Sequence, residues 1–328
     1  MSDVTYSVIV PLYNEELVIR ETYKRLKNVM ESIGEPYEII FVNDGSTDNT
    51  KTIVTDICRS DSNVRLIDFS RNFGHQLAIT AGMDNSCGQA IIVIDADLQD
   101  PPEVIQDMIR KWKEGYEVVY GKRLKRKGET VFKKVTAKLF YRFLNSITDV
   151  DIPLDVGDFR LIDRKVCDAL KLLPERNRYV RGLISWLGFK QTGVGFVREE
   201  RFAGETKYPL KKMIKFAMDA ITSFSHRPLK IATYVGIIIS LLSFIYLVIV
   251  IIQKLTTNTT VPGWASLTVI NLFFNGVILI TLGIIGEYIG RIYDETKGRP
   301  LYIIREKIGF EDELQNKADN ERQNKKDD

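Results

Sequence analysis

Two aspartates one residue apart, Asp95 and Asp97, follow directly on the apolar run Ile91-Ile92-Val93-Ile94 and precede Gln99, Asp100 and the pair Pro101-Pro102. The β-branched run reads as a buried strand, and the prolines as the opening of a helix. Acid at the end of a buried strand needs a reason, because charge there is costly to desolvate. Two carboxylates flanking one small residue, Ala96, can turn their oxygens toward a hard divalent cation, the kind of ion that holds a nucleoside diphosphate and lets it leave. Capping of the next helix is the competing use of the same acids.

Other polar clusters stand at equivalent places along the chain. A strand at 6–10 ends in Pro11-Leu12-Tyr13-Asn14-Glu15-Glu16, with Asn14 placed to cap a helix. A strand at 38–42 ends in Asn43-Asp44-Gly45-Ser46-Thr47-Asp48, where Gly45 permits a tight turn and Ser46 or Thr47 can cap. A third, at 64–69, leads into Ser70-Arg71-Asn72-Phe73-Gly74-His75, and a fifth is expected at 117–120. Strands alternating with helices predict a mostly parallel α/β sheet with helices on both faces, and ligands then sit at the carboxyl ends of the strands. All four polar clusters fall there. No GxGxxG follows a strand and no GxxxxGKS/T occurs, so a glycine-rich phosphate cradle is not indicated and a metal on Asp95 and Asp97 has to carry the diphosphate. Asp44 and Glu15 lie where a base or ribose could be read, although Asp44 also suits a turn. Asp158, in Gly157-Asp158-Phe159-Arg160-Leu161 ahead of a helix at 164–173, is the candidate carboxylate for the reacting centre, with an Asx-turn as the alternative. His75, at a helix start, suits either catalysis or a satisfied polar position.

The 328 residues allow one large α/β domain and an appendage. A net charge of +3 conceals basic clusters at 122–138 and 198–230, suited to phosphate, anionic lipid or a solvated helix face. Nucleic acid is set aside, since no reading helix or stacking aromatic platform accompanies these charges. Cys58, Cys87 and Cys167 lack CxxC spacing, which argues against a disulfide framework or zinc site and for a reducing compartment; no signal peptide is read at the start. Residues 231–253 and 265–286 carry no charge, and each run is long enough to cross a bilayer, which takes about 20 residues. Their flanks hold Arg227, Lys230, Arg291, Lys297, Arg299 and Arg305 while the linker holds Lys254, so the positive-inside rule places both termini in the cytoplasm. A pair of buried core helices is the alternative. A basic loop at 122–128, a basic amphipathic helix at 130–144 and a lysine-rich amphipathic helix at 209–224 complete the reading; the last suits a membrane surface, and Arg201 and Lys207 just before it could grip a lipid-borne phosphate or simply anionic lipid.

Pro11-Leu12-Tyr13-Asn14-Glu15, the 42–48 and 70–74 segments, Asp95-Ala96-Asp97-Leu98-Gln99-Asp100-Pro101-Pro102, Gly157-Asp158-Phe159-Arg160-Leu161 and Arg201-Phe202-Ala203-Gly204-Glu205-Thr206-Lys207-Tyr208 together resemble the polyisoprenyl-phosphate glycosyltransferases of glycosyltransferase family 2. That group includes dolichol-phosphate mannose synthase and the bactoprenol glucosyltransferases, and Gly286-Glu287-Tyr288-Ile289-Gly290-Arg291 looks most like the bactoprenol branch. The resemblance implies a GT-A fold and inverting transfer from a nucleotide-sugar donor, UDP-linked, to undecaprenyl or another polyprenyl phosphate, with magnesium or manganese, at the bacterial plasma membrane. It implies donor contacts from Pro11, Tyr13, Asn14, Glu15, Asp44, Arg71, Asp95, Ala96, Asp97 and Gln99, metal ligation by Asp95 and Asp97, catalysis at Asp158, and phosphate or acceptor contacts from Arg201 and Lys207. Thr206 stands where serine is common in the family, and the hydroxyl survives the change. The implied organisation is a cytoplasmic catalytic domain at 1–200, a juxtamembrane amphipathic segment at 201–230, transmembrane helices at 231–253 and 265–286, a cytoplasmic segment at 287–310 and a disordered polar tail at 311–328. Tetramers occur in the family, so a homo-oligomer is expected, with Gly286 and Gly290 forming a small-residue stripe for helix packing.

Overall fold

Strand β1 (Tyr6–Leu12) is buried along its whole length, as a strand covered on both faces must be. It is central to the sheet in a computed structural model that describes residues 4–125, 156–176, 178–199, 227–257 and 263–310. The chain continues through α1 (Ile19–Ile33), β2 (Tyr37–Asn43), α2 (Thr50–Ser60), β3 (Val64–Phe69), α3 (His75–Asp84), β4 (Ala90–Val93) and α4 (Val104–Lys113). Next come β5 (Val118–Lys125), β6 (Val156–Asp163), α5 (Arg164–Lys171), α6 (Val180–Trp186) and β7 (Gln191–Val197). Two long helices, α7 (Arg227–Thr257) and α8 (Trp264–Thr296), precede a last strand, β8 (Ile304–Ile308).

The strands form one sheet in the order β7-β5-β6-β4-β1-β2-β3-β8. Its centre, β4-β1-β2-β3, is parallel as expected, and β5 pairs parallel with β7. β6 runs antiparallel to both β4 and β5, and β8 antiparallel to β3, so the sheet is mostly parallel with two reversed strands. The departure has a local cause. The 157–161 segment, read only as an acid after a glycine ahead of a helix, is the body of β6, and residues 122–125, expected to start a basic loop, extend β5. Asp158 therefore sits in a strand, not an Asx-turn.

Side chains of β1 alternate between two cores. Tyr6, Val8, Val10 and Leu12 pack under α1, α2 and α4, whereas Ile9 faces the side covered by α3, α5 and α6. Helices therefore cover both faces, as the alternating pattern implies. At the other end of the chain, α7 and α8 expose most of their apolar side chains; Leu279, for example, is 68% exposed. Among the described residues one helical stretch, Phe273–Thr296, is long and apolar enough to cross a membrane, and α7 holds a shorter apolar stretch, Ala232–Tyr246. The segment at 287–310 continues α8 to Thr296 and then supplies β8. Arg201, Lys207, the amphipathic helices at 130–144 and 209–224, and the polar tail lie outside the described residues.

Candidate active site

The loops after β1, β2 and β3 are bonded to one another. Gly45 has φ +66°, and a Cβ on it would fall 2.5 Å from the backbone carbon of Arg71 and from the nitrogen of Asn72, so glycine is what lets two loops meet. Beside it Asp44 is buried and its carboxylate accepts from the Phe73 N–H at 2.7 Å and the Gly74 N–H at 3.0 Å, while Asn72 Nδ2 donates to the Asp44 carbonyl at 3.1 Å. Burial raises the Asp44 carboxyl pKa, and the two N–H groups oppose that rise.

Asn14, at φ 54°, donates its N–H to Ser46 Oγ at 2.9 Å and accepts the Thr47 N–H on Oδ1 at 2.8 Å; the Glu15 N–H goes to Thr50 Oγ1 at 2.8 Å. These bonds correct the capping expectations. α1 starts behind Val18 and α2 behind Asn49, neither with a side-chain cap, because Asn14, Ser46 and Thr47 hold loop to loop instead. Pro11 lies within β1, Tyr13 is exposed, and the Arg71 guanidinium rests 4.1 Å from the Phe73 ring.

The acid pair follows β4. Asp97 Oδ1 accepts the Gln99 N–H at 3.1 Å, and the intervening Leu98 adopts φ 57° with its side chain buried. A leucine in the left-handed region costs about 1–3 kcal/mol, so backbone strain is stored between Asp97 and Gln99 and held by packing. The Ala96 carbonyl accepts from Thr22 Oγ1 at 2.7 Å, fixing the turn from beneath.

Asp95 Oδ1 is buried and accepts no hydrogen bond among the described residues. His75 Nε2 stands 3.4 Å from it and 3.4 Å from Asp158 Oδ2. Burial pulls the His75 pKa down, but Asp95 and Asp158 outweigh it and bring it to about 9, so the imidazole is a cation between two carboxylates at neutral pH. Burial, reinforced by Asp158, Asp100 and Asp97, pushes Asp95 up to about 6 against the pull of His75.

Asp158 is gripped from three sides. Arg181 Nε donates to Oδ1 at 3.0 Å and Gln76 Nε2 to Oδ2 at 3.1 Å, with His75 on the same Oδ2. Burial would raise its pKa, yet Arg181 and His75 hold it well below the usual carboxylate range. Gln76 Oε1 also accepts the Val180 N–H at 3.0 Å, and Arg181 Nη1 donates to the Val156 carbonyl at 2.8 Å, which ties α3, β6 and α6 together at this point. Nearby, Arg198 Nη2 donates to Gln99 Oε1 at 2.8 Å, and Arg123 pairs with the buried Asp100 at 3.3 Å.

The structure thus brings Asp95, Asp97, Gln99 and Asp158 to the edge where the Asn14, Asp44 and Arg71 loops meet. Gln76 and Arg181 were not anticipated, and Arg123 and Arg198 were read only as members of basic clusters. Arg181 carries no local signal, since its contact with Asp158 spans 23 residues and exists only once α6 has packed. Among the described residues no group of three or more His, Cys, Asp or Glu side chains could hold a metal alone. Two carboxylates, one of them with a buried oxygen that accepts no hydrogen bond among the described residues, still fit a magnesium- or manganese-type ion, which takes one or two protein carboxylates and completes its shell with substrate phosphate oxygens and water.

The family model for glycosyl transferase family 2 matches residues 7–171, and a model described as the GtrB C-terminal hairpin matches residues 227–292. The chain is 63% identical over 308 residues to the uncharacterized glycosyltransferase YkcC of Bacillus subtilis (strain 168), covering 94% of this chain and 95% of that one. It is 44% identical over 299 residues to a prophage bactoprenol glucosyl transferase homolog of Escherichia coli (strain K12), covering 91% and 98%. Among solved structures, a glucosyl-3-phosphoglycerate synthase from Mycobacterium tuberculosis in complex with Mn2+, UDP and phosphoglyceric acid aligns with a TM-score of 0.48 and 21% identity, over 67% of this chain and 76% of that one. The chain belongs to glycosyl transferase family 2 and is a glycosyltransferase.

Proposed function

We propose that the protein transfers a hexose from a nucleoside-diphosphate sugar, UDP-linked, to a polyprenyl phosphate at the cytoplasmic face of a bacterial plasma membrane, with inversion at the anomeric carbon and with magnesium or manganese bound at Asp95 and Asp97. The observation that carries the acceptor is likeness along the whole architecture: relatives named bactoprenol glucosyl transferases align over 91% of the chain, hairpin included. Both long helices cross the bilayer in this reading, and the catalytic sheet lies on the cytoplasmic side with both termini.

The chemistry follows from the charges. A phosphate monoester is largely dianionic near neutral pH, its second pKa being about 6, so the acceptor oxygen needs no base. It forms the new bond to the anomeric carbon from the face opposite the diphosphate; the old bond breaks with its electron pair on the diphosphate oxygen, and no proton moves. The bound cation would supply neutralisation of that leaving group. Asp158, clamped as an anion by Arg181, Gln76 and His75, serves to orient this centre rather than to take a proton. Gln99, braced by Arg198, faces the same diphosphate, and Arg201 and Lys207 meet the acceptor phosphate in this reading.

The test is direct. Purified full-length protein in lipid nanodiscs is incubated with undecaprenyl phosphate and a panel of radiolabelled UDP-sugars, with and without chelator. A labelled lipid monophosphate sugar, lost with chelator and restored by magnesium or manganese, is expected. A long polymer, or no labelled lipid from any donor, overturns the proposal.

A further inference from the structure

The strand that follows the membrane-type helix α8 is joined to the loop that carries Arg71 and His75. Both main-chain groups of Ser70, the first residue of that loop, are taken by this distant segment: the Ser70 N–H donates to the Ile303 carbonyl at 3.0 Å, and the Ser70 carbonyl accepts from Arg305 Nη2 at 2.6 Å. One residue earlier, the Phe69 ring stacks on Tyr302 with centroids 5.2 Å apart and planes 16° from parallel. One residue earlier again, the buried Asp68 shares Lys51 with Glu306, at 2.8 and 2.9 Å, and Asp68 Oδ1 accepts Asn43 Nδ2 at 2.7 Å, next to Asp44.

The register shows how Arg305 reaches the loop. Asp68 opposes Glu306 and Phe69 opposes Ile304, which leaves Arg305 as the extra residue of a bulge. A bulge re-aims the side chain it carries, and here it turns a half-exposed guanidinium back over Ser70. An edge strand needs only ladder hydrogen bonds to close a sheet. Placing the bulge opposite the first loop residue adds a contact that shapes the loop.

We propose that Arg305 and Tyr302 are positioning residues for the donor site, holding the 70–75 loop so that its Phe73 and Gly74 N–H groups and His75 stay in register with Asp44 and Asp95. This rests on the donor reading of that loop given above. The inference adds that the segment after α8 takes part in donor binding, so the anchor and the nucleotide pocket are one mechanical unit joined through the short connection 297–303.

The experiment measures binding of UDP, GDP and dTDP to full-length protein in nanodiscs by calorimetry, with steady-state KM values for donor and lipid acceptor where turnover is seen. Arg305→Ala and Tyr302→Ala, the second of which also removes the Tyr302 hydroxyl's hydrogen bond to Asp84, are expected to weaken binding of the preferred nucleotide about three- to tenfold, the range for loss of one ordinary exposed hydrogen bond or one stacked ring pair. Donor KM is expected to rise in parallel, while acceptor KM stays within about twofold. Arg305→Lys restores most of the loss. Tyr23→Phe, which removes a hydrogen bond to Asp61 far from this loop, controls for general loosening and is expected to leave nucleotide affinity unchanged. Wild-type affinity in both alanine variants overturns the inference alone, as does an equal loss in the Tyr23→Phe control. Failure of the wild-type protein to bind any of the three nucleotides overturns the donor reading of the site, and the inference with it.

Discussion

His75 shows what the fold makes of a single side chain. Between Asp95 and Asp158 it becomes the cation that lets two carboxylates approach, and its pKa of about 9 records that. The sign of the pH dependence follows: a folded-state pKa above the free value of about 6.5 means His75 stabilises fully below that pH, and the contribution is lost as pH rises through about 9. In chelator, the melting-temperature difference between wild type and His75→Asn should therefore be largest between about pH 6 and pH 7, where Asp95 is charged and His75 protonated, and shrink steadily from pH 7 to pH 10. A difference that grows with pH over that last range would refute the ion-pair account. For the acid pair, Asp95→Asn and Asp97→Asn are each expected to lower kcat/KM by about a hundredfold or more with the circular dichroism spectrum unchanged, as loss of a ligand from a catalytic metal does. Activity within threefold of wild type in both variants would remove the metal from that position. Asp95, Asp97 and Asp158 could be picked out of the sequence because acid beside a strand or glycine is conspicuous. Arg181 and Gln76 could not, because what makes them matter is contact with Asp158 across the fold.

At the scale of elements, the site depends on loops being held against loops. Gly45 is where this is tightest. Gly45→Ala adds a Cβ into the backbone of residues 71–72 and strains a left-handed φ, so unfolding free energy should fall by more than about 1 kcal/mol, with donor KM raised because the Asp44 bonds to Phe73 and Gly74 are pried apart. Chemical denaturation and donor kinetics on the same preparation check both halves; an unchanged denaturation midpoint would contradict the close approach. The central strands were legible because parallel strands covered on both faces are written as unbroken apolar runs. β6 was hidden because Asp158 and Arg160 interrupt its apolar pattern on the face toward α3 and α6, and both are paired there, Arg160 donating to the Gly157 carbonyl at 3.0 Å. β8, Ile-Arg-Glu-Lys-Ile, reads as a solvated segment, as charge-bearing edge strands do. The cap readings of Asn14, Ser46 and Thr47 failed for a related reason: a side chain that suits a helix start equally suits a neighbouring loop, and sequence spacing does not rank the two.

The whole molecule is a sheet whose last strand lies beyond its two long helices. This constrains topology, because β8 pairs with β3, so the chain must return after α8 to the side where β3 resides. If α8 alone crossed the bilayer, residues 227–257 would lie opposite the sheet, although the strands leading to them belong to it. An even number of crossings removes the conflict, which favours α7 spanning as well, its 31 residues exceeding the roughly 20 that a bilayer needs. The argument is testable by labelling. In a background with Cys58, Cys87 and Cys167 replaced by serine, Gly263→Cys at the start of α8 should react with a membrane-impermeant maleimide on intact spheroplasts. Lys307→Cys in β8 should react only after permeabilisation. Protection of both positions, or labelling of both, would put the start of α8 on the same side as β8 and its sheet and refute the crossing.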